Sequence, residues 1–233
     1  MGKFLYISAP ELCQGEDQNL MVQMAEIIFP GFVIQDKSKN GLELCLSGDF
    51  RDQNLRTEAL KTFQLLLGIL RAWNPSAGKR CDETNQGLGL AIARDENGNQ
   101  ASPIGYAQEY INPRYPVDQY SRWAARAVKS SSSIRNAFWI NGRRDRTSAD
   151  YYMIFEYAKK ELGGENNMKY LFGISQSEIV ELRKAANNLC PTLGGRHAPG
   201  NQSIVTWGLK EQNIFISTLL SKWIEHNANS SSM

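Results

Sequence analysis

Apolar residues recur at helical spacing through almost the whole second half of the sequence, from Val117 to His226. Such spacing gives each helix one apolar face, and helices with short connections bury these faces against one another in a bundle. Five segments show the pattern, and a shorter piece at 168–172 separates the third from the fourth. The predicted helices are residues 117–129, 134–140, 149–162, 175–189 and 209–226. The second half therefore predicts a C-terminal helical bundle.

The first half has a different pattern, in which strand-like segments alternate with two helices. The order β-α-β-β-α-β is that of the ferredoxin-like fold, although a mixed sheet of another topology has the same order. We therefore expect an α+β fold: an N-terminal mixed sheet with two helices, ferredoxin-like or of another topology, followed by the bundle. The predicted strands are residues 4–9, 32–34, 42–46 and 87–94, and the predicted helices are 17–29 and 54–73.

A change of composition separates the two halves. Residues 106–116 contain two prolines and three tyrosines, and they connect the strand-rich pattern to the helical one. Proline-rich stretches of this kind commonly connect domains. The sequence therefore predicts an α+β domain at 1–110 and a helical domain at 115–228.

Charge and composition narrow the classes of function. The net charge of +2 gives no overall field that would require a nucleic-acid partner, although a local basic patch can still bind one. No apolar run approaches the roughly 20 residues that span a bilayer, and the apolar N-terminal stretch is short for a signal peptide. We therefore expect a cytoplasmic protein with no membrane contact. The four cysteines form no Cys-x-x-Cys pair, and no phosphate-binding loop, Gly-x-Gly-x-x-Gly after a strand or His-Glu-x-x-His motif occurs, so we expect no metal and no cofactor.

One polar cluster follows the fourth predicted helix, whose start carries a capping box at Ser175 and Glu178. Pro and Gly residues at 191–195 end that helix and lead to an adjacent Arg–His pair. Histidine titrates near neutral pH and suits proton transfer, and arginine suits a phosphate or a developing oxyanion. A histidine that only anchors the loop backbone fits the same residues. The candidate catalytic residues are His197, Arg196, Asn187 and Arg183.

The densest positive cluster is the turn that contains Arg143, Arg144 and Arg146, between the second and third predicted helices. Arg122 and Arg126 lie four residues apart on the preceding helix and share a face. Such a surface can follow a phosphate backbone, and a solvated face would show the same pattern. These five arginines are the candidate nucleic-acid-binding residues.

Residues 149–224 resemble the HEPN superfamily of small helical proteins. The likeness lies in the layout: an Arg-Lys-Ala-Ala-Asn-Asn segment from Arg183, the Arg196-His197 loop, and a final amphipathic helix from Trp207 to Trp223. Active members of the family are metal-independent RNases that build their site across a dimer, whereas other members bind or dimerise without cleaving. The family places its Arg and His close together on one helix. Here Arg183 and His197 are separated by Pro191.

Two hypotheses follow from these patterns. The first is a non-catalytic interaction or scaffold protein that binds RNA, DNA or a protein partner through its basic helical half. The second is a metal-independent HEPN-like endoribonuclease that acts as a dimer, with His197 on a ribose hydroxyl and Arg196 at the phosphate. The wider separation of Arg183 and His197 favours the first. The resemblance implies a homo-oligomer and a role in prokaryotic antiviral defence or in a mobile element. Whether the protein is an enzyme is left open by the residues alone.

Overall fold

The computed structural model describes residues 4–9, 16–28, 32–36, 42–47, 53–75, 115–143, 145–187 and 206–230. For the three short strands given below it describes the backbone only. Of the residues whose side chains it describes, 85% are helical and none lies in a strand. The described ranges contain eight helices: α1 (Glu16–Ile28), α2 (Gln53–Trp73), α3 (Val117–Ser130), α4 (Ser132–Asn141), α5 (Ser148–Glu161), α6 (Glu165–Phe172), α7 (Gln176–Asn187) and α8 (Leu209–Ser230).

Three short strands lie in the N-terminal half: β1 (Phe4–Ala9), β2 (Phe32–Asp36) and β3 (Leu42–Ser47). β3 lies between the other two and pairs antiparallel with both, so that Cys45 lies opposite Tyr6 on one side and Val33 on the other. β2 also contacts α1. All strand pairing in the described ranges is therefore antiparallel.

The predicted α+β fold class is wrong, because the described side chains form an all-helical body. α2 packs most extensively on α4 and also contacts α8, while α1 packs on α3. The two N-terminal helices thus bury their apolar faces against helices of the second half. Helical periodicity identifies an apolar face but does not tell whether a sheet or another helix covers it. The predicted strand at 87–94 and the residues just before position 115 lie outside the described residues.

The prediction of a helical bundle is confirmed at this level. One hydrophobic cluster includes buried residues of all eight helices, and its largest members are fully buried aromatic and aliphatic side chains. Burial of each such side chain stabilises the fold by roughly 1.5–3 kcal/mol before the entropy cost of ordering the chain is subtracted. Among them are Leu20 of α1, Leu66 and Ile69 of α2, Tyr120 of α3, Phe138 of α4, Phe155 of α5 and Trp223 of α8.

The predicted capping box at the start of α7 is present. The backbone N–H of Glu178 donates to Ser175 Oγ at 3.2 Å, and the Ser175 N–H donates to Glu178 Oε2 at 2.8 Å. α5 begins with the same arrangement, in which Thr147 and Asp150 each accept the other's backbone N–H. These pairs satisfy N–H groups that the first turn of a helix leaves without an intrahelical partner.

The backbones of α2 and α4 approach each other very closely at two glycines. A Cβ atom on Gly68 would lie 1.8 Å from the carbonyl oxygen of Phe138, and one on Gly142 would lie 1.7 Å from that of Gln64. Only glycine fits at such separations, so the crossing depends on both residues. Asn141 secures it, since its Nδ2 donates to the carbonyl oxygen of Gly68 at 2.8 Å.

We predict that Gly68→Ala destabilises the protein by about 2 kcal/mol or more, because the added methyl group overlaps the backbone of α4. In an ordinary helix interior the same substitution stabilises by roughly 0.5–1 kcal/mol, so the sign is diagnostic. Urea denaturation followed by circular dichroism measures the free energy of unfolding. Glu58→Ala, at an exposed position of the same helix, should change it by less than about 1 kcal/mol. A stabilised Gly68→Ala protein would contradict the close crossing.

Candidate functional site

One face of α3 carries a row of exposed positive charges. Arg122, Arg126 and Lys129 lie at positions i, i+4 and i+7, which places them on the same side of the helix. The opposite side faces the core through Tyr120, Ala124 and similar buried residues. The amphipathic pattern of α3 therefore fixes the orientation of its basic residues toward solvent.

The charges of this row meet few internal partners. Arg122 and Arg126 make no hydrogen bond or ion pair with any described residue. Lys129 Nζ donates to the carbonyl oxygen of Ile27 at 2.9 Å, which keeps its charge uncompensated. Arg135, exposed at the start of α4, donates from Nε to the carbonyl oxygen of Val128 at 3.0 Å and extends the row. We call Arg122, Arg126, Lys129 and Arg135 the basic stripe.

The arginines of the turn after α4 are used differently. Arg143 pairs with Asp150, with 2.6 Å between Nη1 and Oδ1, and its guanidinium carbon lies 5.0 Å from the ring centroid of Trp139. A hydrogen-bonded ion pair with α5 and an aromatic contact with α4 hold this side chain in place. Arg143 therefore stabilises the turn, although 39% of its side chain is exposed.

Arg146 joins three helices. Its Nη1 donates to Asn141 Oδ1 at 3.2 Å and to Asn213 Oδ1 at 2.9 Å, and its guanidinium lies 5.6 Å from the ring centroid of Tyr151. These partners belong to α4, α8 and α5. The structure thus divides the predicted nucleic-acid-binding residues: Arg122 and Arg126 are exposed, whereas Arg143 and Arg146 make internal contacts. Arg144 lies outside the described residues.

Sequence reasoning missed Arg71, the only fully buried cation among the described residues, with 1% of its surface exposed. Its Nη1 donates to the carbonyl oxygens of Asn141 and Arg143 at 3.1 and 2.7 Å. A positive charge near the C-terminal end of a helix is an ordinary feature, so Arg71 resembles a surface residue in sequence. The available signal was its position four residues after the buried Leu67, on the apolar side of α2.

The structure describes two of the four candidate catalytic residues, and both lie on α7. Arg183 Nη2 donates to Glu165 Oε2 at 2.9 Å. A hydrogen bond with Tyr152 and the charge of Glu165 raise the pKa of the Arg183 guanidinium. Asn187 is exposed at the last position of the helix. Arg183 is therefore held by α5 and α6, and the described residues leave its relation to Arg196 and His197 untested, since that loop lies outside the described ranges.

Glu181 connects α7 to the start of the last helix. Its carboxylate accepts hydrogen bonds from Lys184 Nζ at 2.8 Å and from Thr206 Oγ1 at 2.5 Å. These bonds, that of Lys184 first, lower the pKa of Glu181 to about 2. In the core, burial raises the pKa of the Tyr120 hydroxyl. Neither group is placed for proton transfer near neutral pH, because each strongly favours one protonation state.

Among the described side chains, no group of three His, Cys, Asp or Glu residues is placed to hold a metal ion. None of the described helices has the length and apolar character needed to cross a membrane. No protein-family model matches the chain, and no match was found among curated proteins or solved structures. The resemblance of residues 149–224 to the HEPN superfamily therefore stays a prediction.

We predict that Arg146→Ala lowers the free energy of unfolding by about 1–3 kcal/mol, because it leaves the fully buried Asn141 without a charged partner. Arg122→Ala, on the exposed stripe, should change it by no more than about 0.5 kcal/mol. Both variants remove one guanidinium, so urea denaturation compares burial and contacts directly. Equal stability of the two proteins would show that the turn arginine is an ordinary surface residue.

Proposed function

We propose that this protein is a non-catalytic nucleic-acid-binding protein and that the basic stripe is its interface. The observation that carries the proposal is the row of Arg122, Arg126 and Lys129, exposed on one helix face and not neutralised by described carboxylates. The one acidic residue of α3, Asp118, lies one turn before Arg122 on the same face and makes no ion pair with described residues; its Oδ1 accepts a hydrogen bond from Gln23 at 2.6 Å. Three positive charges on this face thus stand against one negative charge. The face is therefore locally cationic although the net charge is only +2.

The spacing of the row suits a phosphate backbone. At about 1.5 Å of rise per residue, Arg122 and Lys129 are separated by roughly 10 Å along the helix axis. A nucleic-acid strand presents one phosphate per ~3.4 Å of its axis, so several phosphates fall within this length. Long side chains on a rigid helix can meet them without a change in the fold. Such contacts give affinity without reading sequence, because phosphates carry no base information.

A catalytic role has less support from the described residues. Arg183, which a HEPN-like mechanism would bring to the reacting phosphate, is instead bound to Glu165 and Tyr152. The test of cleavage is direct: the full chain is incubated with RNA in EDTA beside a His197→Ala variant. We expect intact RNA in both samples. Cleavage that disappears in the variant would replace the binding function with the RNase.

We predict salt-dependent binding that depends on the stripe. With three to four phosphate contacts, the logarithm of the association constant for an oligonucleotide should fall with a slope of about −2 to −4 against the logarithm of salt concentration. The double variant Arg122→Glu/Arg126→Glu should reduce that slope by about 1.5–2, because two contacts are lost. Fluorescence anisotropy with a labelled oligonucleotide measures both quantities.

The matched control is Lys160→Glu. Lys160 is exposed on α5 with no ion pair to described residues, and its replacement changes the net charge by the same amount as Arg126→Glu alone. We expect Arg126→Glu to weaken binding several-fold and Lys160→Glu to leave it nearly unchanged. If the wild-type protein shows no salt-dependent binding even at low ionic strength, the proposal is overturned. A protein partner would then be the remaining hypothesis for this face.

A further inference from the structure

A groove lies between α2 and α4, and its walls combine apolar and polar side chains. Its volume is about 330 Å³, which is at the lower end of the range for small-molecule sites. Leu65 and Trp139 supply apolar lining, while Arg135, Asn136 and Lys61 supply donors. Glu58 also lines the groove, but its carboxylate is paired with Lys61 at 2.9 Å. The groove is mostly apolar, and the charge of Arg135 on its wall is not paired with any described carboxylate.

Trp139 is held in place on several sides. Gln64 Nε2 donates to its carbonyl oxygen at 2.9 Å, and the Arg143 guanidinium lies over its ring. The side chain is half-buried and packs against the hydrophobic core while it lines the groove. The hydrogen bond from Gln64 anchors the backbone of Trp139, and the guanidinium restrains the ring from one side. The part of the indole that lines the groove is the part that a ligand can contact, with a positive charge close by.

The groove and the basic stripe share a residue. Arg135 lines the groove, and its Nε also donates to the carbonyl oxygen at the end of α3. Arg135 therefore connects the groove to the C-terminal part of α3, where Lys129 follows Val128 in the chain. A positive track that leads to an aromatic surface is the arrangement by which proteins bind single-stranded nucleic acid.

We propose that the nucleic acid bound by this protein is single-stranded, and that one base enters the groove between α2 and α4 and stacks on Trp139. This inference rests on the proposed function of the basic stripe. The stripe supplies phosphate contacts, which a duplex could also make, whereas the groove requires an unpaired base. Duplexes keep their bases stacked on one another, so they gain nothing from Trp139.

The test compares Trp139→Leu with Trp139→Phe on a single-stranded oligonucleotide and on a duplex of equal length. Trp139→Leu keeps an apolar side chain but removes the stacking surface, and it should weaken binding to the single strand about tenfold. Trp139→Phe keeps an aromatic ring and should retain most of the affinity. Duplex affinity should be unchanged in both, and this serves as the control for folding, since a misfolded protein would lose both substrates.

A second variant probes the groove without touching the core. Asn136→Glu places a negative charge at an exposed position of the lining, and it should weaken single-strand binding more than duplex binding. Equal loss on both substrates, or no effect of Trp139→Leu on the single strand, would overturn the stacking inference. If Arg122→Glu/Arg126→Glu still weakened binding and lowered its salt slope in that case, the proposed function would stand. Absence of any salt-dependent binding would overturn both.

Discussion

The rest of the helical body depends on the crossing of α2 and α4 and on Arg71 beneath it. Gly68 and Gly142 let the two backbones touch, and the Arg71 guanidinium binds the carbonyl oxygens of Asn141 and Arg143 where α4 ends. Carbonyl groups at the end of a helix lack intrahelical donors and carry partial negative charge. A buried guanidinium therefore donates hydrogen bonds to them and also interacts favourably with the negative end of the helix dipole. From this point the chain turns toward α5, with Arg143 and Arg146 holding the turn.

The same crossing explains why the arginines of this region do different things. Those near the buried end of α4 are drawn into contacts with Asp150, Asn141 and Asn213, which hold the turn together. Those on the outer face of α3 make no ion pair with described residues, and among these residues Lys129 and Arg135 contact only backbone carbonyl groups. Charged groups without internal partners contribute little to stability, and we therefore propose that these residues act in binding. The groove at Trp139 lies beside the crossing, so the packing of α2 on α4 also positions the proposed stacking surface.

Local features of the molecule were predictable from the sequence, and features that depend on distant contacts were not. The helices of the second half and the capping box at Ser175 follow from spacing within one segment, and the shared face of Arg122 and Arg126 follows from four-residue periodicity. The fold class failed because the partners of α1 and α2 in the second half lie about 70–150 residues away in sequence. For the same reason Arg143 and Arg146 were predicted to lie on a nucleic-acid-binding surface, because no local pattern indicates a distant partner such as Asn213.

In our proposal the basic stripe, and not the turn that contains Arg143 and Arg146, binds the nucleic acid. The most direct measurement follows the guanidinium resonances of the full-length protein by NMR during titration with a single-stranded oligonucleotide. We expect the Nε–Hε signals of Arg122, Arg126 and Arg135 to shift with added oligonucleotide and to return when salt is raised. The signal of Arg146 should stay in place, because its partners Asn141 and Asn213 hold it within the body. Shifts confined to Arg143 and Arg146, with the stripe unaffected, would contradict the account.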